Sequence, residues 1–198
     1  MINITKFGNF KDFETNKNKK QIILCNSFRS EIQYLSSLKN RNNGNYNKIP
    51  NYFISREGKV VGLLSDDSFS NFFNDYDVNK NSIIVCLENL GWVTKMPLQE
   101  QYFNWIGEPI SRGIFERKWR EKIYWQEYTT EQVDSLVELC EKLTKKFSIH
   151  KTFIGHNTKV DGIKIFNGIV CRSNFNNKYT DPSPAFKFED FKTRIENE

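Results

Sequence analysis

Short apolar runs bounded by polar residues recur along the chain and predict its strands. Residues 21–25, 82–87 and 152–154 are runs of this kind, and a short continuous apolar run is typical of a strand that is buried on both faces. Residues 52–55 and 59–64 flank a turn that ends in glycine, which supplies the positive φ that many β-hairpins require. The pattern therefore predicts one hairpin and three central strands.

Apolar residues that recur at helical spacing predict the helices. Residues 29–40 and 129–147 carry such stripes, and the second stripe begins with a capping box formed by Thr129 and Gln132. Residues 185–197 predict a short final helix.

The segments between these elements lack a clear period. Residues 65–81 are predicted to be a loop, and so are residues 157–180, with a small hairpin over 163–171. The order of elements is β–α–β–β–β–α–β–α. This order predicts the α/β class, with a mixed central β-sheet flanked by helices on both faces.

A length of 198 residues favours a single domain. Residues 1–20 are polar and lysine-rich and predict an N-terminal arm, which is followed by one domain over 21–198. Residues 90–128 form an aromatic-rich insertion that contains all four tryptophans. Two alternatives stay open for these tryptophans: they pack in a core, or they are exposed for an interface or for stacking on sugar rings.

Charge and cysteine content narrow the function classes. The net charge is +5, and the Lys and Arg residues are spread along the chain rather than gathered with aromatic residues into a stripe. A solvated surface explains this pattern better than a nucleic-acid interface. The four cysteines form no Cys-x-x-Cys pair, so we expect reduced thiols in a protein made in the cytoplasm.

The sequence also argues against a membrane partner. The first residues lack the apolar core of a signal peptide. No apolar run approaches the ~20 residues of a membrane span. We therefore expect a protein with neither a signal peptide nor a membrane anchor.

Two polar residues are candidate metal ligands. His156 follows the apolar pair Phe153-Ile154 and a glycine, and Asp181 precedes the proline-rich segment 182–184. In one interpretation they form two ligands of a zinc site. In the other they belong to a capped strand and an ordinary proline turn, because short motifs match by chance frequently.

Three motifs follow one another along the chain in a particular order. They are Ser82-Ile83-Ile84-Val85-Cys86-Leu87-Glu88-Asn89, Ile154-Gly155-His156 and Thr180-Asp181-Pro182-Ser183-Pro184-Ala185-Phe186. This order resembles that of the zinc-dependent type-2 N-acetylmuramoyl-L-alanine amidases, a family that includes an amidase-type phage lysozyme and the peptidoglycan recognition proteins. The resemblance extends over about residues 21–191.

The resemblance implies an amidase-like fold, zinc as the cofactor and bacterial peptidoglycan as the partner. It implies that His156 and Asp181 are zinc ligands and that Cys25 stands where the family has its first histidine. Cysteine thiolate binds zinc well, so Cys25 either completes a Cys-His-Asp site or is a buried residue left after the site was lost. The resemblance also implies a glutamate where this chain has Cys86 and a basic residue just before the Asp-Pro motif. Glu88, which lies two positions after Cys86 and on the same side of the strand, and Lys178 are the residues predicted for these catalytic roles.

Two functions are therefore predicted. The first is hydrolysis of the N-acetylmuramoyl-L-alanine amide by a zinc-activated water. The alternative is a catalytically degenerate amidase fold that binds peptidoglycan or forms part of a phage particle, with particle components or further copies of the chain as partners. Either function would be performed at the cell wall, after lysis or as part of a particle.

Overall fold

The computed structural model describes residues 3–7, 10, 13–97, 101–110 and 113–197, so parts of the predicted arm and insertion lie outside the described residues. The strands are β1 (Ile4–Lys6), β2 (Gln21–Asn26), β3 (Tyr52–Ile54), β4 (Val60–Gly62), β5 (Ser82–Leu87), β6 (Trp92–Lys95), β7 (Tyr102–Phe103), β8 (Pro109–Ile110), β9 (Ile114–Trp119), β10 (Lys122–Gln126) and β11 (Gly168–Cys171). The helices are α1 (Glu31–Asn40), α2 (Tyr76–Asn81), α3 (Thr130–Phe147) and α4 (Phe188–Asn197). Within the described part of the chain, none of these helices combines the length and the apolar character that a membrane span requires.

The central sheet has six strands in the order β1-β4-β3-β5-β2-β11. Strands β3, β5, β2 and β11 are parallel to one another, whereas β3 and β4 form the predicted antiparallel hairpin. Every residue of β2 and β5 is buried, because helices cover both faces of the sheet. The predicted α/β class with a mixed central sheet is confirmed, and the carboxyl ends of β5, β2 and β11 meet at one end of this sheet.

Alternate residues of β2 face opposite layers of the core. Ile22 and Leu24 belong to the cluster formed with α3 and α4, whereas Ile23 and Cys25 belong to the cluster formed with α1. This alternation follows from the two-residue period of a strand. It directs the Cys25 side chain into the core under α1.

The predicted hairpin turn forms, and so does the Thr129 half of the predicted capping box, whereas the Gln132 side chain donates to the Ile54 and Glu88 carbonyls instead. Gly58, in the turn between β3 and β4, has a φ of +79°. A Cβ atom on Gly58 would lie 2.6 Å from the Glu131 carbonyl oxygen, so glycine also allows the turn to approach the start of α3. The Thr129 hydroxyl accepts the N-cap hydrogen bond from the Gln132 N–H at 3.3 Å.

The aromatic-rich insertion forms a second, antiparallel sheet with the strand order β8-β7-β6-β10-β9. Trp125 is fully buried, and its indole N–H donates to the Arg117 carbonyl at 2.8 Å. Trp105 is 48% exposed, and its indole N–H donates to the Phe28 carbonyl at 2.9 Å. One tryptophan ring therefore packs in a core and another lies at the surface, and a role of the surface ring at an interface or in stacking on sugars stays a prediction.

Two predictions for the last third of the chain are wrong. Residues 152–154 do not form a strand, because Phe153 makes only an isolated bridge to Ile169 and Gly155, with a φ of +76°, ends the extended segment. Residues 163–171 do not form a hairpin, because a short 3-10 turn precedes β11, which pairs in parallel with β2. The strand beside β2 therefore leads to Arg172 rather than to His156.

Two further elements lie in segments without a predicted element. Helix α2 lies inside the predicted loop 65–81, and the Asp75 carboxylate caps it by accepting the Val78 N–H at 3.1 Å. Strand β1 lies in the predicted N-terminal arm and pairs in parallel with β4. Both elements are too short for a periodic pattern to stand out in the sequence.

Candidate active site

Cys25 and Asp181 lie close together at the carboxyl end of β2. The Asp181 side chain is fully buried, and its Oδ2 accepts the N–H of Asn26, the residue after Cys25, at 3.0 Å. The Tyr128 hydroxyl donates to the Asn26 Oδ1 at 3.0 Å and accepts the Ser183 N–H at 2.9 Å. These bonds fix the segment around Asp181 against the end of β2.

Arg172 is the residue that neutralises Asp181. Its Nε lies 2.9 Å from the Asp181 Oδ2 and 3.0 Å from Oδ1. The guanidinium lies over the rings of Tyr179 and Phe28, with its carbon 4.6 Å and 5.7 Å from the ring centroids. We refer to Cys25, Arg172 and Asp181 as the buried charge cluster.

Burial and charge act in opposite directions on the Arg172–Asp181 pair. Burial raises the pKa of the Asp181 carboxyl above its usual value, while Arg172 and the Asn26 N–H counteract that rise. Burial acts to lower the pKa of Arg172, but the charge of Asp181, the neighbouring Cys25 and Cys86, and the hydrogen bond to Asp181 together outweigh it and raise that pKa above its usual value. Each residue therefore stabilises the charged form of the other, whereas a single unpaired charge would be strongly unfavourable in the core.

Cys25 is a buried thiol rather than a metal-ready thiolate. It is fully buried, lies in register with Cys86 of β5, and its Sγ is 3.6 Å from the Val85 carbonyl oxygen. Burial, followed by the neighbouring Cys86, raises the pKa of the Cys25 thiol well above its usual value.

His156 lies in a different environment. It is exposed, and its Nδ1 lies 2.9 Å from the Thr158 hydroxyl. The buried Asn174 side chain donates to the His156 carbonyl at 2.9 Å and to the Thr158 carbonyl at 2.7 Å, which fixes this turn. His156, Trp119 and Phe186 line a groove of about 630 Å³, which we call the His156 groove.

The predicted ligands Cys25, His156 and Asp181 do not form a metal site in this arrangement. We searched the described residues for groups of three His, Cys, Asp or Glu side chains whose ligand atoms lie within 4.8 Å of one another. The group found is acidic and consists of Glu31, Glu57 and Glu88. The Asp181 oxygens are held by Arg172 and Asn26, and the Cys25 sulfur lies in a closed core. As arranged, these donors do not fit a zinc ion, which requires accessible ligands.

A family model describes what this chain resembles as a whole. The model of N-acetylmuramoyl-L-alanine amidases matches residues 14–182, which is most of the chain. The chain belongs to the N-acetylmuramoyl-L-alanine amidase family. A comparison with curated protein sequences gives no match.

Solved structures of amidases and of peptidoglycan recognition proteins have the same fold. The amidase LysC from Clostridium intestinale matches with a TM-score of 0.60 and 12% identity, over 98% of this chain and 98% of that chain. AmiD from E. coli, in complex with anhydro-N-acetylmuramic acid-L-Ala-D-gamma-Glu-L-Lys, matches with a TM-score of 0.56 and 12% identity, over 91% of this chain and 58% of that chain. Drosophila peptidoglycan recognition protein SD matches with a TM-score of 0.52 and 12% identity, over 94% of this chain and 92% of that chain.

Glu88 and Lys178, the two predicted catalytic residues, have hydrogen-bond partners other than Arg172 and Asp181. Glu88 accepts the Glu31 N–H at 2.9 Å and the Arg56 N–H at 3.0 Å, so its carboxylate caps α1 and the β3–β4 turn. Lys178 is exposed, and its backbone N–H donates to the Asn176 Oδ1 at 2.9 Å. Their catalytic roles stay predictions.

Sequence reasoning missed Arg172 and Arg120, which hold the loops of this amidase-family site. Arg120, at the tip of the β9–β10 hairpin, donates to the Asn177 carbonyl at 2.7 Å, to the Asn157 carbonyl at 3.2 Å and to the Tyr179 carbonyl. The available signal for Arg172 was its position directly after the apolar run 169–171. No pattern in the sequence indicates which loop the hairpin tip reaches.

Proposed function

We propose that this protein acts on bacterial peptidoglycan at the amide that joins N-acetylmuramic acid to L-alanine. The observation that carries the proposal is the family match over residues 14–182. The fold likeness to E. coli AmiD supports it, since the ligand of that complex contains the same linkage.

The His156 groove has the chemical character that a muramoyl peptide requires. Trp119 and Phe188 supply aromatic surface, Arg117 and Lys187 supply positive charge, and Glu189 and Asp190 supply negative charge. Aromatic rings pack on the apolar faces of sugar rings, and cations pair with the carboxylates of a stem peptide. We therefore propose this groove as the surface that contacts peptidoglycan.

The hydrolytic form of this function requires a zinc ion, which the resemblance assigns to Cys25, His156 and Asp181 and which these donors do not fit as they are arranged. A second candidate is recognition of peptidoglycan without cleavage. The observation that favours it is the ion pair between Arg172 and Asp181, in which the Arg172 Nε lies 2.9 Å and 3.0 Å from the two carboxylate oxygens. The two candidates share the groove and differ in the chemical step.

Muropeptide release from purified peptidoglycan separates the two candidates. The folded protein is incubated as isolated, with added zinc and with a chelator, and released peptides are identified by chromatography and mass spectrometry. Release of stem peptide that depends on zinc supports hydrolysis, whereas co-sedimentation with peptidoglycan without release supports recognition alone. A folded protein that neither cleaves nor co-sediments rejects the proposed function.

The groove itself is tested by a matched pair of tryptophan variants. Trp119→Ala removes a ring that lines the His156 groove, and we expect it to reduce the fraction of protein that co-sediments with peptidoglycan. Trp105→Ala removes a ring at the surface that contacts Phe28 and Arg29 instead, so it should leave co-sedimentation unchanged. An equal effect of both variants would show that binding does not use this groove.

The proposal places the action of the protein at the cell wall, after lysis or as part of a phage particle. Mass spectrometry of purified particles and of lysates distinguishes these two routes. Detection in washed particles supports a particle component, whereas detection in the soluble lysate alone supports release on lysis. Sedimentation analysis of the purified protein tests whether further copies of the chain are partners.

A further inference from the structure

The fold gives Arg172 a position that the sequence motifs assign to another residue. Strand β11 pairs directly with β2, with Cys171 opposite Leu24, and Arg172 follows at once. The segment before His156 contributes only the bridge of Phe153, on the far side of β11 from β2. The residue that meets Cys25 and Asp181 at the end of the parallel strands is therefore Arg172.

We propose that the Arg172 guanidinium takes the place of a metal ion at this end of the sheet, so that the site of this family member is closed by an internal cation. The inference concerns the partner of the Asp181 carboxylate and stands without the proposed function. It rests on the proposed function only where it describes contact with peptidoglycan. Its consequence is that Cys25, His156 and Asp181 hold no zinc in the native protein. Peptidoglycan is then contacted through the His156 groove without a metal-activated water.

The surroundings of Asp181 require a cation. A carboxylate that is fully buried is strongly destabilising unless it is paired or bound to a metal. Arg172 satisfies this requirement through its Nε at 2.9 Å and 3.0 Å from the two carboxylate oxygens. The Asn26 N–H donates a further hydrogen bond to the carboxylate at 3.0 Å. The carboxylate is therefore neutralised without a metal ion.

The surroundings of Arg172 hold the guanidinium in place. Its side chain is 20% exposed, and it lies over the rings of Tyr179 and Phe28. A metal ion that bound Asp181 would have to displace the guanidinium from these rings and leave it without its carboxylate. Zinc binding here would therefore include the free-energy cost of leaving a buried guanidinium unpaired, which a zinc site without an internal cation does not have.

The remaining donors do not compensate for this cost. The Cys25 thiol lies in the core beside Cys86, and both residues are fully buried. His156 is exposed and interacts with Thr158 rather than with Cys25 or Asp181. A zinc ion would therefore have to recruit one ligand from the core and another from the surface.

The zinc content of the purified protein tests the inference. Tag-free protein is equilibrated with zinc, passed through a desalting column and analysed by inductively coupled plasma mass spectrometry, in parallel with Cys25→Ala and His156→Ala. We expect the native protein to retain no more zinc than either variant. A native protein that retains one zinc ion per chain, lost in Cys25→Ala or in His156→Ala, overturns the inference.

A gain of metal binding provides the second arm. Arg172→His removes the internal cation and supplies an imidazole beside Asp181, so we expect this variant to retain more zinc than the native protein. The matched control is Arg194→His, which replaces an arginine that pairs with Asp134 at the surface at 2.8 Å, and it should retain none. A folded Arg172→His variant that gains no zinc overturns the assignment of this position, and if the variant does not fold, the first arm decides.

Co-sedimentation with peptidoglycan on the same samples separates this inference from the proposed function. A zinc-free native protein that does not bind peptidoglycan rejects the function and leaves the inference intact. A zinc-loaded native protein that binds peptidoglycan overturns the inference and leaves the function intact.

Discussion

The Asp181 carboxylate and the His156 imidazole, which the resemblance assigns to one metal site, have opposite surroundings in this molecule. Asp181 is fully buried and is held by Arg172 and by the Asn26 N–H. His156 is exposed, lines the His156 groove and interacts with its own neighbour Thr158. The buried charge cluster and the His156 groove are therefore two regions rather than one.

The difference between them teaches what each region does for the protein. In the buried charge cluster the charges of Arg172 and Asp181 are paired internally, so the Asp181 carboxylate is not available to a ligand. The groove combines aromatic rings with the charged residues Arg117, Lys187, Glu189 and Asp190, so it offers contacts to a ligand. Stability and recognition, which a metal site would join, are separated here.

Removing Arg172 should produce the largest effect. Arg172→Met leaves the buried Asp181 carboxylate without its cation, and breaking a buried pair from one side costs about 3–5 kcal/mol of unfolding free energy. Urea unfolding at neutral pH, followed by circular dichroism, measures this loss.

The control for Arg172→Met is the double variant Arg172→Met/Asp181→Leu. It removes both charges, and apolar replacement of a whole buried pair is often neutral or stabilising, so most of the lost stability should return. A double variant that is less stable than Arg172→Met would contradict the assignment of the loss to an unpaired carboxylate.

Lys19 sharpens the comparison, because it is a buried cation without a buried carboxylate in contact among the described residues. It is 3% exposed, and its amino group donates to the Lys80 carbonyl at 3.0 Å and the Ser68 carbonyl at 3.4 Å. Burial lowers the pKa of Lys19 to about 8 from an ordinary 10.5, although Asp67 opposes the change. The folded state therefore loses this proton at a lower pH than the unfolded state does.

The sign of the pH effect follows from this difference. Between about pH 8 and 10.5 the unfolded chain binds more protons at Lys19 than the folded chain, so the Lys19 contribution to stability rises with pH in that window and is lost as pH falls through about 8. Relative to Lys19→Met, wild-type protein should gain on the order of 2 kcal/mol of unfolding free energy across the window. Urea unfolding of both proteins at several pH values measures the difference, in which the titration of the cysteines cancels; a constant difference would contradict the prediction.

The hydrogen bonds of Arg120 connect the inserted sheet to the loops near the two regions, and a variant of Arg120 tests how much they stabilise these loops. Arg120→Ala removes the bonds from the hairpin tip to the carbonyls of Asn157, Asn177 and Tyr179. We expect a loss of about 1–2 kcal/mol in local stability, detected as faster amide hydrogen exchange around these residues. Lys118→Ala, an exposed change on the adjoining strand β9, is the control, and equal exchange in both variants would argue against this role of Arg120.

The smallest effect on stability is expected for His156→Ala. The side chain is exposed, so the unfolding free energy should change by no more than about 0.5 kcal/mol, whereas co-sedimentation with peptidoglycan should weaken. A thermal melt and a binding assay on one preparation measure both quantities. A large loss of stability with unchanged binding would reverse the contrast between the two regions.

Local pattern predicted the elements that are long or strongly punctuated. Strands β2 and β5 and helix α3 follow from continuous apolar runs and from the cap at Thr129, and the turn at Gly58 follows from its glycine. Strand β11 was mistaken for part of a hairpin, because Ile169-Val170-Cys171 is as apolar as an antiparallel strand would be and its partner is distant in sequence. Periodicity reports burial, and it does not report which strand supplies the neighbour.

The sequence by itself determined the α/β class, the family and the residue types available for chemistry, because these depend on local periodicity and on motif order. Only the tertiary structure decided that Arg172, rather than His156, meets Asp181, because that choice depends on whether β11 or the segment before Gly155 pairs with β2. Strand pairing joins residues that are far apart along the chain, and a buried carboxylate pairs with the cation that this pairing brings to it. The physical reason is that burial and partner choice are properties of the packed sheet, which no local segment contains.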